Sequence, residues 1–203
     1  MKSRKLTTAF YERPDVVLIA KELLGKVLCT CIDGEFTSGI IVETEAYDGR
    51  TDKACHAHIH GNTNRTKVMF GAPGFAYVYL CYGIHHLFNI VTNAEGMADA
   101  VLVRAIEPLE GIPVMLRRRN QVNVQRSTGG GPGIVSQALG ISTNTHYGTH
   151  LAGPTIWIED RQRVIAADDI IASPRVGVDY AGDDAFLPWR FRIKDNGFTS
   201  PAK

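Results

Sequence analysis

No run in this 203-residue sequence comes near the ~18 consecutive apolar residues of a membrane-spanning helix. The first ten residues, Met1–Phe10, are basic and polar and contain no apolar stretch of the kind a secretory signal carries. Cytoplasmic residence is therefore the expectation, with nucleoid association if the source is bacterial. There are only 4 cysteines (Cys29, Cys31, Cys55 and Cys81), and a chain of this length does not need disulfides to hold its core. Cys29 and Cys31 lack the Cys-x-x-Cys spacing of common zinc sites, so four buried thiols are expected. No internal repeat and no linker-like stretch divides the chain, which points to one domain over residues 1–203.

Charge of one sign is also missing overall: 22 Lys and Arg against 21 Asp and Glu leave +1. The distribution is uneven, however. Residues 50–126 hold 9 basic and 5 acidic residues and five of the 7 histidines, whereas residues 127–158 carry no charged side chain. A cationic patch on a balanced surface suits a polyanion such as nucleic acid, although charge runs are commonly just solvated faces.

Asp15 is placed to cap a helix running to about Leu24 and stopped by Gly25. Val27–Ile32 and Phe36–Tyr47 read as strands joined at a tight Asp33-Gly34 turn. Residues 48–74, rich in Gly, Asn and His, have the composition of a long functional loop. Phe75–Cys81 and Leu87–Thr92 form a second hairpin about Tyr82-Gly83. Ala100–Ala105 is a short strand, Pro108–Arg118 a helix, and Gly129–Gly133 a loop opening a helix that Gly140 ends. Further strands are expected near Thr155–Ile158, Arg175–Val178 and Trp189–Ile193. Strands that outnumber helices and pair by hairpins predict an α+β fold: a single mixed domain with a curved, largely antiparallel β-sheet flanked by helices, and a protruding β-hairpin.

Side-chain alternation puts Ile41, Glu43, Glu45 and Tyr47 on one face of their strand, and Ile40, Val42, Thr44 and Ala46 on a core face. An acid beside an aromatic suits a flat, ring-shaped substrate; a solvated strand end is the plain alternative. Phe75, Tyr77, Tyr79 and Cys81 share a face of the next hairpin, whose tip exposes Tyr82 by geometry. Such a tip can wedge into a base stack or fold back on its own sheet. Asn89 interrupts an apolar strand and needs hydrogen-bond partners. Arg104, within Val101–Ile106, needs a counter-charge, for which Glu45 is a candidate. On an extended segment His56, His58 and His60 would cluster and suggest a metal, but their loop is polar and poor in carboxylates. Gly129–Gly133 ahead of a helix offers backbone N–H groups to a phosphate, yet no Lys-Ser/Thr follows as in a nucleotide-binding P-loop.

Together these segments resemble the monofunctional alkylpurine (3-methyladenine) DNA glycosylases, the type that includes the mammalian enzyme. The resemblance rests on Ile41-Val42-Glu43-Thr44-Glu45-Ala46-Tyr47, Asp52, His56, Met69-Phe70, Pro73-Gly74, Tyr77-Val78-Tyr79, Tyr82-Gly83 and Asn89. It continues through Leu102-Val103-Arg104-Ala105-Ile106-Glu107-Pro108, Gly131-Pro132-Gly133, Gln137-Ala138-Leu139-Gly140-Ile141 and Arg175-Val176-Gly177-Val178, in order from about residue 6 to about residue 194. It implies a base-excision repair hydrolase acting as a monomer on damaged double-stranded DNA, without metal, cofactor, lyase activity or membrane. The implied lesions are 3-methyladenine, 7-methylguanine and, as a neutral case needing protonation, hypoxanthine. Glu45 would be the general base that activates water against the sugar C1′, and Arg104 would help hold that water and the carboxylate. Tyr47, Tyr79 and His56 would stack on and hydrogen-bond the flipped base. Tyr82 would fill the vacated space in the duplex, and Asn89 would crowd the exocyclic amine of guanine. The chain departs from the family pattern at Ile134, where Lys is common, and at His85-His86, where aromatic or aliphatic residues are usual.

Two other function classes fit part of the pattern. Glu43 and Glu45, as same-face neighbours ~6.5–7 Å apart, could serve a sugar glycosidase or nucleoside hydrolase. A lesion-binding protein without catalysis would use the same aromatic slot.

Overall fold

The strand that carries Glu45 organises the molecule. In the computed structural model, which describes residues 4–200, an edge strand β1 (Arg4–Lys5) precedes helices α1 (Thr8–Tyr11) and α2 (Val16–Glu22). The Asp15 carboxylate caps α2 by accepting from the Leu18 amide at 2.9 Å, which satisfies a first-turn N–H. Next comes the hairpin of β2 (Val27–Ile32) and β3 (Glu35–Tyr47). Asp33 and Gly34 take positive φ values of 54° and 77°, as both central residues of a type I′ turn must. After α3 (His56–His60) follow the second hairpin, β4 (Ala76–Cys81) and β5 (His85–Thr92), and the long β6 (Asp99–Glu110). Helices α4 (Ile112–Arg118), α5 (Arg126–Gly129), α6 (Pro132–Leu139) and α7 (Thr143–His146) lead to β7 (Ile156–Asp160), β8 (Ile170–Ser173) and β9 (Arg190–Ile193).

Among the described residues these strands make one antiparallel sheet in the order β1-β7-β2-β3-β6-β5-β4. Beyond the reach of β2, the end of β3 pairs with β9, which in turn pairs with β8. The sheet stays open, with β1 and β4 at its ends. Period-two alternation divides it into two faces. Val101, Val103 and Ala105 of β6 join Val78, Phe88 and Ile90 in a core with Ile19 and Leu23, Met115, and Val135 and Leu139. Each such buried side chain contributes about 1.5–3 kcal/mol, so α2, α4 and α6 are held on this face. The opposite face, left without those helices, presents Ala100, Leu102 and Arg104 to a cavity. No helix among the described residues is long and apolar enough to cross a membrane.

Several expectations change. A register shift in β3, with Ile41 opposite Ile106 and then Glu43 opposite Ala105, leaves Val42 as an extra residue. This bulge sends both Ile41 and Val42 into the helix-side core, so Ile41 does not share the face of Glu45. Residues 48–74 are not a plain loop, since they contain α3 and a 3-10 turn at Lys67–Phe70. Pro108 belongs to β6, not to a helix; it sits at a second register shift, where a residue without N–H is tolerated. Helix α4 starts only after Gly111, at φ 70°. Arg175–Val178 is no strand: Arg175 is drawn to Asp52, and Gly177 turns the chain at φ 74°. Only Cys29 and Cys55 are buried; Cys31 is exposed and Cys81 half-buried, and all four are free thiols.

Candidate active site

A cavity of about 500 Å³ opens on the sheet face turned away from the core that α2 and α4 cover, within the ~300–1,000 Å³ common for small-molecule sites. Glu45 lies on its floor, fully removed from solvent. Three donors converge on its carboxylate. The Tyr47 hydroxyl reaches Oε2 at 2.8 Å, Arg104 Nη1 reaches the same oxygen at 3.2 Å, and the Val176 amide reaches Oε1 at 2.9 Å. Buried carboxylates need this company to stay charged. The pairing of Arg104 with Glu45 is as the sequence suggested.

Rings form the walls. Tyr77 and Tyr79, two residues apart on β4, stack at 5.4 Å, and His56 meets Tyr79 edge-on at 4.6 Å. His56 Nδ1 also lies 2.9 Å from the Tyr77 hydroxyl. Burial, with Arg65 and His60 nearby, pulls the His56 pKa down to about 4, so the ring is neutral at physiological pH. Burial pushes the phenols the other way: Tyr77 to about 12, Tyr79 higher, and Tyr47, with Glu45 adding to the effect, far above its ordinary value. All three stay protonated donors. Tyr47 is fixed from behind by Arg175, whose guanidinium sits 4.7 Å from the Tyr47 ring and 5.2 Å from that of Trp189. Arg175 is in turn paired with Asp52 through two contacts, one of them 2.8 Å. Asn89 lines the cavity, and its amide donates to the Tyr77 carbonyl at 3.1 Å.

Residues 9–197 match the family described as methylpurine-DNA glycosylase. The chain belongs to that family. A Chlamydia abortus member is 46% identical over 190 residues, covering 93% of this chain and 97% of its own. One from Alkaliphilus oremlandii is 43% identical over 208 residues, with 97% and 98% coverage, and one from Bacillus mycoides 42% over 200 residues, with 95% and 97%. All three carry the name "Putative 3-methyladenine DNA glycosylase".

In this member of the methylpurine-DNA glycosylase family, the sequence candidates Glu45, Tyr47, His56, Tyr79, Tyr82, Asn89 and Arg104 all line the one cavity. Tyr82 does so from the tip of the β4–β5 hairpin, where it is 91% exposed beside exposed Ile84. It takes φ 51°, and Gly83 φ 73°, a conformation unfavourable for a bulky residue. Other candidates separate. Glu43 does not line the cavity; it is buried behind it, with Arg104 Nε at 2.9 Å and Arg190 Nε at 2.8 Å. The three histidines lie on helical α3 and not on a strand, so His58 turns to the Arg50 carbonyl while His56 faces Tyr77. Two amides of the glycine run are already spent, Gly130 on the Arg126 carbonyl and Gly131 on that of Arg104. His85 packs over Gly133, and His86 Nδ1 accepts from the Thr143 amide at 3.1 Å. Both unusual histidines thus tie the tip end of the hairpin to α6 and α7. Tyr77, Arg65 and Val176 are cavity residues to which sequence reasoning gave no role. Only Tyr77 had a local signal, its shared face with Tyr79.

Proposed function

We propose that the protein is a base-excision DNA glycosylase that takes an alkylated purine, flipped out of damaged duplex DNA, into the Glu45 cavity and hydrolyses its N-glycosidic bond. The observation that carries this reading is the Glu45 carboxylate, held by three donors at the floor of an aromatic slot. Alkylation at purine N3 or N7 makes the base cationic, which strengthens its attraction to the faces of Tyr47 and Tyr79. The same charge makes it a good leaving group. As the bond to C1′ breaks, its electron pair passes to the base, which departs neutral, and positive charge builds on the sugar. Anionic Glu45 stabilises that charge and takes a proton from the water whose oxygen joins C1′. Arg104 keeps the carboxylate aimed. No general acid is needed for a cationic base.

Neutral His56 and the protonated phenols offer directional hydrogen bonds without repelling a cationic purine, as an imidazolium would. Asn89, fixed by the Tyr77 carbonyl, stands against the exocyclic amine of guanine. Tyr82 fills the gap left in the duplex, and the strain at its φ is consistent with a residue kept for contact and not for the turn. Among the described lining residues there is no lysine, which favours water over an amine nucleophile and so supports hydrolysis without strand cleavage. A paired-carboxylate glycosidase is disfavoured because Glu43 is committed to two guanidiniums away from the cavity. The test is incubation with methylated duplex DNA and chromatography of the released bases. Free 3-methyladenine and an uncut strand bearing an abasic site are expected; duplex binding without any base release would contradict the reading.

A further inference from the structure

Glu43 sits on β3 two residues before Glu45, is fully buried, and makes more polar contacts than the catalytic carboxylate proposed above. Its Oε1 accepts from Arg104 Nε at 2.9 Å, Arg190 Nε at 2.8 Å and the Ser200 hydroxyl at 2.7 Å, and its Oε2 accepts from the Ser200 amide at 2.7 Å. Ser200 is itself gripped: its carbonyl accepts from Arg190 Nη2 at 3.0 Å and from Arg192 Nη1 at 3.1 Å. Ser200 lies beyond the 9–197 stretch matched with the family. From these contacts we infer that Glu43, clamped by Arg190 and by Ser200 in the tail after β9, is a positioning residue for Arg104 and through it for Glu45. The inference rests on the glycosylase reading.

The geometry explains why such a clamp is needed. Arg104 bridges both carboxylates of β3, with Nε on Glu43 and Nη1 on Glu45. A guanidinium is a rigid planar fork, so fixing Nε on Glu43 fixes where Nη1 points. Arg190 supplies the second positive charge, which lets Glu43 remain ionised. Burial opposes that charge, but Arg104, Ser200 and Arg190 hold the carboxyl below its usual range. With Glu43 neutral, Arg104 would be free to slide toward Glu45, covering lone pairs that the attacking water needs.

The experiment compares wild type with Glu43→Gln, Ser200→Ala, Ser200→Thr and Glu45→Gln. It measures single-turnover release of methylated purine alongside binding to a duplex carrying an abasic-site analogue. Because losing a carboxylate between two buried guanidiniums destabilises a fold, the Ser200 pair provides a second, milder arm. A misaimed catalytic group costs on the order of 10- to 100-fold, and that loss is expected for Glu43→Gln with duplex binding within about threefold of wild type. Ser200→Ala should lose less, in the same step, and Ser200→Thr should restore it. Wild-type release rates in Glu43→Gln and Ser200→Ala would overturn the inference, as would a rate loss matched by an equal loss of duplex binding. A loss in Glu43→Gln as deep as in Glu45→Gln would also overturn it, by making Glu43 a direct participant. Wild type that releases no base would instead sink the glycosylase reading, and this inference with it.

Discussion

Glu45→Gln is the sharpest perturbation because it changes charge with almost no change in shape. The carboxylate accepts from Tyr47, Arg104 and Val176. A glutamine has one accepting oxygen, so its NH₂ must face either the Val176 amide or the Tyr47–Arg104 pair, donor against donor. That conflict costs about 1–3 kcal/mol of stability. The fold survives it, because Arg104 keeps Glu43 as partner. The chemical step suffers more. Loss of a general base removes ~10²–10⁴-fold, equivalent to about 3–5 kcal/mol of barrier. Losing the anion beside a cationic sugar removes a further ~3–4 kcal/mol, though the two contributions overlap because one group supplies both. A fall of at least ~10³-fold in single-turnover excision is expected, with lesion-duplex affinity within about threefold. Released purines are quantified by chromatography, and affinity by fluorescence anisotropy on an abasic-analogue duplex. Excision within tenfold of wild type, by a protein shown to be folded, would refute the role of Glu45.

Three further outcomes follow from the same geometry. Tyr82→Asn places a residue suited to positive φ at the hairpin tip; it should leave thermal stability unchanged or raised by about 0.5–1 kcal/mol while weakening abasic-duplex binding by roughly 1–3 kcal/mol. If binding is unchanged, Tyr82 is not a wedge. His56 is held near a pKa of about 4 against the ordinary 6.5, so the unfolded chain takes up a proton that the folded one refuses, and stability falls as pH drops from 6.5 toward 4. Urea denaturation at pH 7 and pH 5 should show this residue contributing about 1.5–2 kcal/mol to the difference, and His56→Gln should remove that share. Asp52→Ala strands the buried Arg175 guanidinium and should cost about 3–5 kcal/mol in urea denaturation. Since Arg175 backs the Tyr47 ring, excision should fall as well.

The features legible in the sequence were those set by neighbours in the chain. The Asp15 cap, the Asp33-Gly34 turn and the β4–β5 hairpin needed only local chemistry, and the pairing of Arg104 with Glu45 followed from the cost of an unpaired charge in an apolar strand. Alternation grouped Glu45 with Tyr47 on β3 and Tyr77 with Tyr79 on β4, but it also put Ile41 and Glu43 with Glu45, and neither of those lines the cavity. What escaped depends on distant partners. Arg175 reaches Asp52 across 123 residues, and Ser200 reaches Glu43 across 157, so neither pairing leaves a local trace. The His56–His60 segment is too short for its period to choose between helix and strand. The bulge at Val42 has no Gly or Pro to announce it.

That bulge is what gives β3 two uses. Upstream of it, β2 and β6 flank the strand and Ile41 is core. At Val42 the extra residue resets the alternation, so Glu43, Glu45 and Tyr47 turn away from the helices just where β2 gives way to β9. The exchange of neighbour matters because β9 brings Arg190 to one side of Glu43 while β6 brings Arg104 to the other. Two carboxylates and two guanidiniums thereby form a buried group whose formal charges cancel. A strand with regular alternation through residue 42 would have to place Ile41 on the cavity face, taking an apolar group out of the core. The local irregularity and the buried charge are thus two parts of one solution, and a single-residue deletion at Val42 should abolish both the core packing of Ile41 and the orientation of Glu45.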